Sequence, residues 1–112
     1  MIMPNRIDLK FSALREARQP GLVAYITAGD PDLKSTPSIV AALERSGVDI
    51  VELGIPFSDP LADGPTIQAA AGRALAAGAT VAGVLSTIRE IRRESQIPIV
   101  LFTYLNPVYV YG

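Results

Sequence analysis

The chain has 112 residues, 49% of them hydrophobic and 19% charged, at a net charge of −1, which fits one small domain with apolar side chains to spare for a core. No block of like charges marks a surface for nucleic acid or an anionic membrane, and no apolar run approaches the ~20 residues of a membrane span. Cysteine and histidine are both absent, so a disulfide framework and a Cys-based metal site are excluded and acid–base chemistry falls to Asp, Glu, Lys or Tyr.

The opening residues, Met1 to Arg6, lack the continuous apolar stretch of a secretory signal, and a cytoplasmic setting is expected. Ile7, Phe11 and Leu14 recur at i, i+4, i+7, one face of a short amphipathic helix. Gln19-Pro20-Gly21 breaks it, and Leu22 to Thr27 reads as a buried strand that stops at the turn signal Ala28-Gly29-Asp30-Pro31. Thr36-Pro37 reads as an N-cap followed by proline at the first helical position. Ile39, Val40 and Leu43 give that helix its apolar face, and Gly47 stands where a C-terminal cap is expected. A second strand spans 49–54. After a loop dense in Pro, Asp and Gly comes a helix from about Pro65 to Ala77, closing at Gly78. Thr80 caps the next helix, with Val81, Val84, Leu85, Ile88 and Ile91 inward and Arg89, Arg92, Arg93 and Glu94 solvated. A third strand runs from Ile97 to Tyr104, and no helix is expected after it.

Strands alternating with helices imply parallel pairing, because parallel strands need a crossover. Residues 1–112 are read as one partial domain with no second domain. Its class is α/β, the first three parallel strands and their helices of a TIM (β/α)8 barrel. Three parallel strands alone leave two unpaired edges, and a closed barrel needs ~250 residues, so the chain reads as part of a longer one.

Along the second strand Ile50, Glu52 and Gly54 share one face, and Val51, Leu53 and Ile55 the other. The all-apolar set should pack on helices. Glu52 then points inward near the strand's C-terminal end, where enzymes of this fold place their sites. A carboxylate there is expensive to desolvate; partial protonation relieves that cost and suits an acid–base catalyst. The same alternation puts Tyr25, Phe102 and Tyr104 inward, lining a flat apolar pocket that suits an aromatic substrate. The loop after the second strand exceeds the usual length, which marks it as functional. Asp63, just before the next helix, reads either as its cap or as a second working carboxylate.

The seventeen residues Glu52-Leu53-Gly54-Ile55-Pro56-Phe57-Ser58-Asp59-Pro60-Leu61-Ala62-Asp63-Gly64-Pro65-Thr66-Ile67-Gln68 resemble the signature of the tryptophan synthase α subunit family. Thr27-Ala28-Gly29-Asp30-Pro31 and Tyr104-Leu105-Asn106-Pro107 resemble its first and third strand ends. The resemblance implies a lyase that cleaves indole-3-glycerol phosphate to indole and glyceraldehyde 3-phosphate, with Glu52 and Asp63 as the catalytic carboxylates. It implies Tyr25, Phe102 and Tyr104 around the indole, and Pro56 and Asp59 in the loop that meets a β subunit. No metal and no cofactor is implied for this chain; the pyridoxal phosphate of such a system belongs to the β subunit. The family's phosphate-gripping loops come later than residue 112, so these residues alone are expected to have little or no activity. Two other readings stand beside this one: a different sugar-phosphate barrel enzyme, such as an isomerase or decarboxylase, and a non-catalytic half-barrel fragment. The Ser58 to Gln68 stretch separates the first of these from the lyase, and the folding and self-association of the isolated chain test the second.

Overall fold

The computed structural model describes residues 4–58 and 62–111. The elements run α1 (Arg6–Ala17), β1 (Val23–Thr27), α2 (Thr36–Arg45), β2 (Ile50–Gly54), α3 (Pro65–Ala76), α4 (Val81–Ile91), β3 (Ile99–Phe102) and α5 (Leu105–Tyr111). The strands form one parallel sheet in the order β1-β2-β3. Tyr25, Glu52 and Val100 stand in register across it, as do Thr27, Gly54 and Phe102.

The core lies on one side of the sheet. Val51, Leu53 and Ile55 of the central strand pack with Val40 of α2 and with Val84 and Ile91 of α4. Val51 and Leu53 are 0% exposed; each contributes roughly 1.5–3 kcal/mol by leaving water. Alternation then commits Glu52 to the opposite face, away from the helices.

At the N-terminal ends of the strands, α1 touches the approach to all three. Lys10 lies 4.0 Å from Asp49, ahead of β2. The Arg6 guanidinium donates to Gln96, ahead of β3, at 2.9 Å. A Cβ on Gly21, ahead of β1, would lie 3.0 Å from Leu14. The Asp49 carboxylate also accepts the Leu22 N–H at 2.8 Å, tying the first two strands at their starts. That end is occupied by structure, and the loops at the other end are left for function.

Four expectations need correction. Thr36 does not cap α2: Ser35 is the cap residue, and Pro37 follows as the second helical residue. The Thr36 hydroxyl is spent inward, accepting the Gly29 N–H at 3.1 Å and donating to the Asp32 carbonyl at 3.0 Å, with the residue 1% exposed. The third strand ends at Phe102, and Leu105–Tyr111 after it form a helix; Pro107 is tolerated because the first turn's N–H groups have no intrahelical partner anyway. Arg92 is half-buried, and burial pulls its guanidinium below its ordinary range, with Arg6 adding repulsion. Finally, no residue of α1 is buried: Ile7 and Leu14 are half-buried, and Phe11 is 46% exposed. Thr80 caps α4 as expected, accepting the Gly83 N–H at 3.0 Å, and Gly47 and Gly78 take positive φ just past their helices.

Candidate active site

Glu52 is the third residue of β2, half-buried and flanked in register by Tyr25 and Val100. Its carboxylate makes no hydrogen bond or ion pair with any described residue. Most carboxylates partly withdrawn from water are held by a partner. A free one beside an aromatic wall is available for chemistry on whatever enters.

Two residues further along, Gly54 leaves room for the Tyr25 ring. A Cβ there would collide with the Tyr25 hydroxyl and lie 2.7 Å from its Cζ. The ring meets Phe102 edge-on, with centroids 5.6 Å apart and planes at 87°, the arrangement that aromatic quadrupoles favour. The Tyr25 hydroxyl lies 3.3 Å from the Thr27 hydroxyl. Tyr25 is half-buried and Phe102 is 49% exposed, so the pair presents an open aromatic surface on the same side of the sheet as Glu52.

Tyr104 takes a different place. Its ring stacks at 38° on Phe57, centroids 5.3 Å apart, and its hydroxyl accepts the Ala62 N–H at 2.9 Å. It therefore holds both the entry and the exit of the loop after β2. Pro56 is buried in that loop and lines an apolar hollow of about 440 Å3 with Phe57, Val81, Pro107 and Tyr111. Asp59 lies outside the described residues.

Asp63 is half-buried and is not the helix cap. Gly64 is the cap residue of α3, with no side-chain cap bond. The Asp63 carbonyl accepts from the Gln68 amide at 2.7 Å, while its carboxylate makes no bond to a described residue. The bond that would have explained Asp63 as a structural residue is absent among the described residues.

One pair escaped the sequence reading. Arg73 of α3 grips Asp30, in the turn after β1, through two parallel hydrogen bonds of 2.9 Å. These bonds hold the Asp30 carboxyl below the ordinary carboxylate range against a smaller opposing effect of burial, and they raise Arg73. A signal was there: Arg73 is the one charged residue among the twelve of α3. Among the described residues, no three carboxylates converge to hold a metal ion. No single helix among them is long and apolar enough to cross a membrane.

Comparison with known proteins puts these residues in context. A family model described as "Tryptophan synthase alpha chain" matches residues 11–112. Curated relatives of that name from Geotalea daltonii and Solibacter usitatus are 52% and 54% identical over 108 residues, 96% of this chain but 41% and 40% of theirs. A crystal structure of tryptophan synthase subunit alpha from Legionella pneumophila superposes with a TM-score of 0.95 at 46% identity, covering 98% of this chain and 42% of that one. A tryptophan synthase structure from M. tuberculosis gives 0.88 at 37% identity, over 97% of this chain and 43% of its own. The chain thus spans about two fifths of the length of the curated relatives it matches.

Proposed function

The chain belongs to the tryptophan synthase alpha chain family, and from that premise we propose that it carries the acid–base machinery of a carbon–carbon lyase acting on indole-3-glycerol phosphate. Its three parallel strands and their helices are the first part of the family's (β/α)8 barrel. The observation that carries the functional reading is the state of the two carboxylates. Glu52 has no partner among the described residues and stands on the face away from the helices, and Asp63 is spared from capping α3.

The cleavage is a retro-aldol reaction. Glu52, protonated, delivers its proton to indole C3. Positive charge then develops on the ring and is felt at N1, where Asp63 accepts the N1–H hydrogen bond and stabilises the charge as it forms. Glu52, now a carboxylate, takes the proton of the hydroxyl on the departing carbon. The C–C bond breaks, its electron pair returns to the ring, and indole and glyceraldehyde 3-phosphate result. Tyr25 and Phe102 hold the indole, and Tyr104, turned to the loop after β2, bounds the site on that side; the edge-on Tyr25–Phe102 pair supports this by offering a flat aromatic wall. The chemistry asks for no metal or cofactor. The loop with Pro56 and Asp59 meets a β subunit, and the apolar hollow beside Pro56 is suited to such a contact. The setting is cytoplasmic.

The test is indole release. Residues 1–112 alone should release none, because the loops that would grip the phosphate come later in the family. The same residues joined to the remaining three fifths of the Geotalea daltonii relative should turn over. In that completed chain Glu52→Gln should lower kcat by about 10²–10⁴-fold. A Glu52→Gln variant within a few-fold of its parent would remove Glu52 from the mechanism.

A further inference from the structure

We propose that Asp30 and Arg73 form a positioning pair that sets where Asp63 stands relative to Glu52. This rests on the lyase reading above and adds to it a device for aiming one carboxylate at the other.

Asp63 is two residues from Pro65, the first residue of α3, and the Gln68 amide binds its carbonyl from the first turns of that helix. Wherever α3 starts, Asp63 goes with it. Glu52 belongs to β2, which pairs with β1 throughout its length. The relative placement of the two carboxylates is therefore the placement of α3 on β1.

That placement has two fixed points, both toward the far end of the helix. Gly29, at φ +91°, lets the turn after β1 approach α3 so closely that a Cβ there would lie 3.3 Å from the Ala74 Cβ and 2.8 Å from that of Ala79. One contact is a pivot. The paired Arg73–Asp30 bonds supply the second constraint, and a planar guanidinium on a carboxylate fixes orientation as well as distance. Nearer its start, α3 stands over a cavity of about 270 Å3 lined by Tyr25, Thr27, Thr66, Ile67 and Ala70, with the ion pair at its edge.

Arg73 is eight residues along from Pro65, about 12 Å of helix. A tilt of about 5° at that end moves the start of α3, and Asp63 with it, by about 1 Å. Displacements of that size can cost ~10²-fold in rate. The Arg73 side chain is 58% exposed, and a pair so wet adds little to global stability. Its effect should appear in geometry.

The experiment uses the chain completed with the remainder of the Geotalea daltonii relative. Arg73→Met and Asp30→Asn each remove the paired bonds; Arg73→Lys keeps the charge but cannot present two parallel donors. The readouts are kcat and KM for indole release, the melting temperature, and amide exchange at Asp63 and Gly64. For Arg73→Met and Asp30→Asn the expected result is a kcat at least about tenfold lower, KM within about threefold, melting within a few degrees, and exchange at Asp63 and Gly64 severalfold faster. Arg73→Lys should fall between, and exchanging the two residues (Asp30→Arg with Arg73→Asp) should recover part of the loss. Unchanged kcat and exchange in both single variants would overturn the proposal, as would a loss of kcat that only follows a loss of melting temperature. If Arg73→Met does not fold, Asp30→Asn decides on the same readouts. A completed parent chain without lyase activity would refute the lyase reading, while the exchange rates would still judge the pair.

Discussion

Replacing Gly54 with alanine should open the aromatic wall beside Glu52. The new methyl would collide with the Tyr25 hydroxyl and sit 2.7 Å from Cζ and 3.0 Å from Cε2 of the same ring. Relief requires the ring to move by roughly 1 Å, because strand backbone on both sides is pinned by the β1–β2 register and overpacked cores relax poorly. The displacement gives up the edge-on contact with Phe102, about 0.5–1.5 kcal/mol, and the long Tyr25–Thr27 hydroxyl bond, at the low end of about 0.5–1.5 kcal/mol. Alanine returns about 0.4–1 kcal/mol by restricting the unfolded chain. The net expectation is a destabilisation of about 1 kcal/mol, a fall in Tm of roughly 4–8 °C for a domain of this size. Thermal unfolding followed by near-ultraviolet circular dichroism reads both the stability and the environment of the tyrosine. The decisive control is Tyr25→Leu: with the ring gone, Gly54→Ala should become nearly neutral. Equal destabilisation with and without the ring would refute the reasoning, and so would an alanine variant as stable as its parent with an unchanged tyrosine signal.

Two further outcomes are expected. Tyr104→Phe deletes the acceptor of the Ala62 N–H; amide exchange at Ala62 should rise by roughly two- to tenfold, with little change in melting because the bond is exposed. An unchanged rate would mean that this bond does not restrain the loop. The third concerns acid. Asp30 and Asp32 are both held below their ordinary value of 3.8, Asp30 by hydrogen bonds from Arg73 and Asp32 by hydrogen bonding to Ser35. For a depressed carboxyl the native state binds fewer protons than the unfolded one, so the stabilisation is complete above the unfolded value and lost as pH falls through the folded one. Carbon-detected titration should therefore show both groups ionising below 3.8, and Arg73→Met should move Asp30 upward while leaving Asp32 in place. An Asp30 midpoint unmoved by that substitution would mean the ion pair does not form in solution.

Much of the architecture could be read locally because strand and helix periods are properties of neighbouring residues. The period-2 pattern of residues 50–55 set Val51, Leu53 and Ile55 against Glu52, and the helices did settle on the apolar side. The glycines past α2 and α3, and Thr80 ahead of α4, are punctuation whose meaning is steric and local. The misreadings share a cause. Thr36 has the residue type and spacing of a cap, but its hydroxyl found the Gly29 N–H across the turn, a partner no local pattern names. Leu105–Tyr111, where no helix is expected, folds as one.

The sequence by itself determined the order of elements as far as the third strand, the parallel sheet, the inward face of Glu52 and the family, since each follows from spacing, alternation or an unbroken run of residues. Only the tertiary structure decided what Asp63, Tyr104 and Arg73 do. Asp63 is released from capping because Gly64 takes the cap position. Tyr104 turns to the loop to meet Phe57 and Ala62, 47 and 42 residues away. Arg73 reaches back 43 residues to Asp30. Which polar groups meet at such separations depends on how helices seat on strands, and that is settled by packing the whole chain at once.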